Sequence, residues 1–287
     1  MRLPDLYASK RHVFSFEFFP PKTDQGAKNL FKTITELARL APDYISVTCP
    51  LDKPRRGLTI DLVSRIKREA GIETMAHLVT VEYSRQEMDE VLTRLKREGI
   101  ENILALRGDL PENASVSSRE FEHASDLASF AGPYGFGIGG AAHPERHPDS
   151  ADWEAEIRHA RTKVEAGCEF LITQLFFDNT DYYRYVERAR EAGIEVPIVP
   201  GIMPVTSIPG IRRMASMNGN RIPDSLEHEL SRVDGDDDAV AQVGVEWATF
   251  QCEELIRRGA PGIHFFTLNR SPATRQILTE LRQRLDL

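Results

Sequence analysis

Apolar positions along the chain follow two alternating rhythms. Short runs rich in Val, Ile, Phe and Leu occupy 13–19, 44–48, 74–79, 102–107, 135–142, 170–176, 197–203 and 262–267, each bounded by Gly, Pro or Asp. Runs of that length and composition predict buried strands. Between them apolar residues recur at helical spacing, as in Met88, Val91, Leu92 and Leu95, in Leu30, Ile34 and Leu37, and in Val63, Ile66 and Ala70. Such spacing lays one apolar stripe against a sheet. Gly71, Gly99, Gly167, Gly193 and Gly259 each close a helical stretch just before a strand, where a left-handed residue ends a helix. Four of them stand in a recurring phrase: REAGI at 68–72, REGI at 97–100, EAGC at 165–168 and REAGI at 190–194.

Strict alternation of eight strands with helices predicts an α/β fold built on a parallel sheet. For a chain of 287 residues the first expectation is closure into a (β/α)8 TIM barrel, and the second an open doubly wound sheet. No linker divides the sequence, so 1–287 reads as a single (β/α)8 domain. The longest irregular insertion is expected at 221–238. Its acidic run DGDDD at 234–238 reads as a helix start, because the spaced ligands and closing Glu of a calcium loop are missing.

Composition narrows the function classes. A formal net charge of −8 with interspersed signs argues against nucleic acid or an anionic membrane surface as partner. Cys49, Cys168 and Cys252 are isolated, with no CxxC pair, which points to a reducing compartment and away from zinc, or any other metal, as cofactor. The first residues lack the apolar core of a signal peptide, and no apolar run approaches the ~20 residues that span a bilayer. A cytoplasmic protein is expected.

In a (β/α)8 barrel, chemistry sits at the C-terminal ends of the strands. The expected strand ends deliver Glu17, Thr48, His77, Arg107-Gly108-Asp109, His143, Gln174, and Thr267 with Arg270, while strand seven contributes only Met203. On the first strand Phe14, Phe16 and Phe18 share one face and Ser15 and Glu17 the other. A carboxyl at the barrel mouth among aromatics would be poorly solvated, its pKa raised, and fit to act as a general acid. The alternative is a Glu paired with a barrel-lining Arg. Arg107 and Asp109 face the same way, with Gly108 leaving room for a flat ligand. They read either as a ligand grip or as a structural ion pair. The glycines of GFGIGG at 135–140 lie inside a strand and not before a helix, so they make room in a barrel wall and do not form a dinucleotide loop. His143 and His147 are each followed by Pro, which opposes a helical metal pair. Lys163 alone reads as a solvated lysine. Nucleophile-elbow, P-loop and HExxH motifs are absent, so chemistry must come from these mouth residues or from a cofactor.

FEFFPPK at 16–22, SVT at 46–48, AHL at 76–78, ALRGDLP at 105–111, HPERHP at 143–148, ITQLFFD at 172–178, PGIMP at 200–204 and FTLNR at 266–270 occur together in an order that resembles the methylenetetrahydrofolate reductases. The resemblance runs from about residue 10 to the end, the length of the bacterial-type catalytic barrel. It implies a non-covalent FAD at the barrel mouth, with contacts on Thr48, His77, Arg107, Gly108, Asp109, His123, Ala124, His143, His147, Glu156, His159 and Lys163. Arg107 and Lys163 would then offset the diphosphate charge. It implies Glu17 as the acid that protonates the bridging folate nitrogen, and Asp109 as a catalytic carboxylate near the flavin and the pterin. Glu17, Thr48, Asp109, Gln174 and Arg270 would bind folate. Electrons would come from NADH or NADPH in a ping-pong cycle, and a homo-oligomer is expected. His143 and His123 stand where relatives often carry Tyr, Cys49-Pro50 replaces Tyr-Gly, and Ile208 replaces an aromatic. These departures leave a protein electron donor as an alternative. Another FAD barrel, proline-dehydrogenase-like, is the competing class.

Overall fold

The computed structural model describes residues 1–50, 52–108, 120–270 and 272–286. Among them, nine parallel strands form a nearly closed barrel surrounded by eleven helices. The strands are β1 (Val13–Phe18), β2 (Tyr44–Val47), β3 (Glu73–Val79), β4 (Asn102–Leu106), β5 (Gly137–Ala142), β6 (Phe170–Thr173), β7 (Ile198–Val199), β8 (Gly201–Ile202) and β9 (Gly262–Phe266). The expected α/β TIM barrel is therefore what the chain forms. The expected seventh strand, however, is split. Pro200 has no N–H to give a ladder, so Ile198–Val199 pairs with β6 and Gly201–Ile202 with β9. Through Pro200 the two halves join the open ends of the sheet, and the Pro200 carbonyl accepts from the His264 N–H at 3.0 Å.

The helices are α1 (Leu3–Ser9), α2 (Asp24–Ala38), α3 (Gly57–Ala70), α4 (Arg85–Arg97), α5 (Ala124–Ala131), α6 (Trp153–Glu165), α7 (Asn179–Glu191), α8 (Ile208–Asn218), α9 (Asp224–Arg232), α10 (Asp237–Arg257) and α11 (Pro272–Leu285). The five helix-closing glycines all have positive φ. The region 221–238 is not irregular as expected: α9 lies inside it, anchored by buried Leu226 and Leu230. Its acidic run does start a helix, with the Asp236 carboxylate accepting from the Ala239 N–H to cap α10.

Period-two alternation sorts the barrel into two cores. Phe14, Phe16, Phe18, Ile45, Val47, Ala76, Leu78, Ile263 and Phe265 pack outward under the helices. Val13, Tyr44, Met75, Leu104, Phe170, Ile172 and Val199 pack inward, and α1 closes the bottom with Leu3, Leu6 and Tyr7. Each fully buried large apolar side chain contributes roughly 2 kcal/mol. The strand-five glycines make room as expected, since a Cβ on Gly139 would lie 2.6 Å from the Phe170 ring. The strand itself begins at Gly137, because Gly135 is the left-handed end of a short helical turn.

Candidate active site

Inward positions on β1, β3 and β9 carry polar groups where the lower barrel carries apolar ones. Glu17 Oε2 lies 3.2 Å from His264 Nε2 and 3.5 Å from His77 Nε2. All three side chains are buried. The Ser15 hydroxyl meets His264 Nδ1 at 2.7 Å, and the Thr267 hydroxyl donates to the Glu17 carbonyl at 2.6 Å. Glu17 thus has imidazole partners, which corrects the expected raised pKa. Burial pushes its carboxyl up, but the hydrogen bond from His264, with His77 and His264 nearby, brings it below the ordinary value. Burial pulls His77 down to about 4, so His77 is neutral at physiological pH and lends Glu17 little charge. The His264 hydrogen bond is the cause that holds there. His77 Nε2 itself is buried and has no hydrogen-bond partner among the described residues, a costly state unless a ligand meets it.

A second group gathers where the β5–α6 connection meets α6. Glu156 is buried and accepts from the Ser150 hydroxyl at 2.7 Å and the His147 N–H at 3.1 Å, with His143 Nδ1 at 3.4 Å. Burial pushes Glu156 up, yet these partners hold it at about 2. His143 and His147 rings meet edge-on at 4.7 Å, and burial lowers His143. Lys163, on α6, donates to the Ala141 carbonyl, and burial lowers its pKa too. It is not the freely solvated lysine that its position alone suggested. His159 is exposed beside Glu156 and Lys163. His123 precedes α5, whose Asp126 carboxylate accepts from the His123 N–H at 2.9 Å, and Ala124 begins that helix.

Arg107 reaches the second group through Asp149. It follows β4, and its guanidinium bonds Asp149 at 3.0 Å. Asp149 in turn lies 3.8 Å from His147 Nδ1. The expected partner of Arg107, Asp109, lies outside the described residues. Gly108 has φ +84°, and a Cβ there would lie 3.1 Å from Val79 Cβ, so backbone conformation already requires glycine. Thr48 sits just past β2, its N–H on the Phe18 carbonyl at 2.9 Å. Gln174, just past β6, gives its amide to Asn218 at 2.9 Å and accepts from the Leu175 N–H at 2.8 Å. Arg270 is exposed on the wall of a cavity of about 560 Å3 that Ser207, Gln242, Phe266 and Thr267 also line. Ile208 is buried at the start of α8 in an apolar cluster with Leu175, Met203 and Val205. Sequence reading missed His264, Asp149 and Asn218. His264 was findable: its neighbours Ile263 and Phe265 are apolar, and alternation places the residue between them inside the barrel.

These residues sit in a recognisable sequence frame. A family model described as methylenetetrahydrofolate reductase matches residues 2–282. The chain belongs to that family. The 5,10-methylenetetrahydrofolate reductase of Pectobacterium carotovorum is 35% identical over 274 residues, covering 95% of this chain and 91% of the relative. That of Escherichia coli is 35% identical over 258 residues, covering 90% and 86%. Methylenetetrahydrofolate reductase (NADH) 1 of Arabidopsis thaliana is also 35% identical, over 284 residues, 94% of this chain but 48% of the relative. The chain thus spans about half the length of such plant relatives. Among solved structures, a Clostridium thermocellum protein that binds two copies of 5-methyl-5,6,7,8-tetrahydrofolic acid superposes with a TM-score of 0.62 over 99% of both chains at 15% identity. At that identity it speaks for the fold alone. Among the described residues no helix is long and apolar enough to cross a membrane.

Proposed function

We propose that the chain reduces 5,10-methylenetetrahydrofolate to 5-methyltetrahydrofolate, with FAD as cofactor and NADH or NADPH as electron donor in a ping-pong cycle. The single observation that carries the reading is Glu17: a carboxyl inside the barrel, held by His264 and beside His77, in a member of this reductase family.

The residues present fit FAD. The buried Nε2 of His77 awaits a partner, Gly108 presents bare backbone just past β4, and Arg107 and Lys163 are half-buried cations suited to a diphosphate. Thr48, His77, Arg107, Gly108, His143, His147 and Lys163 would hold it, with His123, Ala124, Glu156 and His159 alongside. When bound, it supplies two-electron hydride chemistry. Glu17 supplies the proton. The free site holds its carboxyl below the ordinary range, so it acts through its protonated fraction: that form gives its proton to the bridging nitrogen of the folate, the ring opens, and the one-carbon unit becomes an electrophile. Gln174 would turn from Asn218 to the folate, and Arg270 would meet the anionic tail of the substrate. Asp109 is proposed as the second carboxylate.

The test uses the purified protein with FAD bound. Its visible flavin absorption should bleach anaerobically with NADH or NADPH and return on adding methylenetetrahydrofolate, but not pyrroline carboxylate. Bleaching by neither nicotinamide, with folate turnover intact from a chemical reductant, would point to a protein donor. Recovery with pyrroline carboxylate alone would overturn the folate reading.

A further inference from the structure

Polar side chains continue downward from Glu17 through the barrel interior as a row. Strand register explains why. Ser15 is paired with Tyr44 on β2 and with His264 on β9, so alternation turns all three side chains into the same interior layer. Ser15 meets His264 Nδ1 at 2.7 Å, and on its other side it is the register partner of Tyr44, near enough to pull the phenol's pKa down against its burial. Tyr44 and Tyr7 hydroxyls are 3.0 Å apart. Tyr7 rises from α1, which closes the barrel floor. Ser15, Tyr44 and His264 are fully excluded from water, and Tyr7 nearly so.

Proton counting gives the row a direction. In its neutral form His264 has one N–H. If that N–H is on Nε2, it donates to Glu17, and Nδ1 accepts from Ser15. Ser15 then accepts from Tyr44, and Tyr44 from Tyr7. Every proton in this arrangement has an acceptor. In the reverse arrangement the Tyr7 proton would have to leave the row. Among the described residues Tyr44 is its hydrogen-bond partner, and the nearby Asp43 carboxylate is already held by Lys10 and the Phe14 N–H. A buried O–H without an acceptor is costly. Burial keeps both tyrosines protonated.

We propose that Tyr7, Tyr44, Ser15 and His264 form a directed donor row that stabilises the carboxylate Glu17 becomes when it gives up its proton to the folate. The four are positioning residues, and the inference rests on Glu17 being the acid of the proposed reaction. A buried carboxylate left by proton transfer would otherwise resist forming. A row of aligned donors offsets that penalty and so makes the buried acid a stronger one. The groups facing Glu17 are His77 from β3 and His264 from β9. Tyr44 and Tyr7 act from below, with Asp43 and its partner Lys10 beyond them.

The test compares FAD-loaded wild type with Tyr44→Phe, which removes one oxygen and keeps the ring, and with Ser15→Ala. The rate of reoxidation of the reduced enzyme by methylenetetrahydrofolate is followed against pH. Both variants should show a descending limb displaced to higher pH by about half a unit, the scale of one neutral hydrogen bond felt at a distance. They should also show a plateau on the acidic side lowered severalfold, because a weaker acid donates more slowly. A structural defect would lower the rate at every pH without moving the limb, and that result would overturn the row. Independently of turnover, 15N NMR of the histidine rings, with the His264 signal assigned by its loss in His264→Gln, should show a bare Nδ1 and a protonated Nε2 in the neutral form of that ring. The opposite tautomer would overturn the direction assigned here. Wild type that carries this tautomer but does not reduce folate would sink the proposed reaction and leave the row standing.

Discussion

The Nε2 of His264 lies 3.2 Å from the Oε2 of Glu17, across 247 residues of sequence, in a barrel interior where both side chains are buried. That pairing decides how Glu17 behaves. A carboxyl buried without donors would be neutral, whereas one that accepts from an imidazole is more acidic despite its burial. The acid proposed for the folate step is therefore tuned from within the barrel wall.

Glu17→Gln should separate the two half-reactions. The amide keeps the shape and a hydrogen bond to His264 but cannot give a proton at neutral pH. Folate-dependent reoxidation should fall by roughly 10²-fold or more, the usual scale for general acid catalysis, while FAD retention stays within about twofold. Stopped-flow absorbance of the reduced enzyme mixed with methylenetetrahydrofolate measures the first and ultrafiltration the second. Folate reoxidation at the wild-type rate would remove Glu17 from the acid role.

Two buried groups predict how stability responds to acid. His77 titrates at about 4 when folded, against an ordinary 6.5. Between those values the unfolded chain takes up the proton first, so the contribution is complete above 6.5 and lost as pH falls towards 4. Glu156 is held at about 2 against an ordinary 4.5, so its contribution is complete above 4.5 and lost as pH falls towards 2. His77→Gln should therefore flatten the loss of stability in the upper window and leave the lower one in place. Urea midpoints at pH of about 7, 5.5, 4.5 and 3 would read both windows. A wild-type midpoint that is constant over the upper window would contradict a neutral, buried His77.

Much of this architecture was legible because period-two alternation is strict where both faces of a strand are buried. Phe14, Phe16 and Phe18 against Ser15 and Glu17 declared the outer and inner faces of β1 without any coordinates. What remained hidden has physical reasons. Strand ends were read as the only source of function, so His264, in the middle of β9, was passed over although the same alternation places it inside. α9 was missed because only Leu226 and Leu230 are buried in it, too few to set a helical rhythm. The Pro200 break was visible in sequence, but that both halves would still pair, with different neighbours, depends on barrel closure. Arg107 meets Asp149 in place of a local partner because the β5–α6 connection folds over the end of β4, a contact 42 residues apart that no short motif records.

Gly108→Ala tests the backbone at the end of β4. The position combines φ +84° with a Cβ that would lie 3.1 Å from Val79 Cβ. A left-handed alanine costs about 1–2 kcal/mol, and the approach to Val79 adds strain. The variant should lose that stability in urea titration and also hold FAD less tightly. Stability equal to wild type would mean that residue 108 can leave the left-handed region freely.

Asp149 and Lys163 give opposite predictions for the same ligand. The Arg107–Asp149 pair is substantially exposed on the Asp149 side, and such pairs contribute about 0–1 kcal/mol. Breaking it should therefore leave stability nearly unchanged. If Arg107 serves the FAD diphosphate, Asp149 competes with that anion for the guanidinium, and Asp149→Asn should tighten FAD binding, by about fivefold at most on the same scale. Lys163→Met keeps the aliphatic stem that runs beside Gly140 and removes the amine, so it should weaken FAD binding by about tenfold or more, the worth of one charge-assisted hydrogen bond. Fluorescence titration of the flavin-free protein with FAD gives both constants on one scale. If Asp149→Asn weakens binding as much as Lys163→Met does, Asp149 holds Arg107 in place and does not compete for it. If neither variant changes the constant, the two cations do not hold the diphosphate.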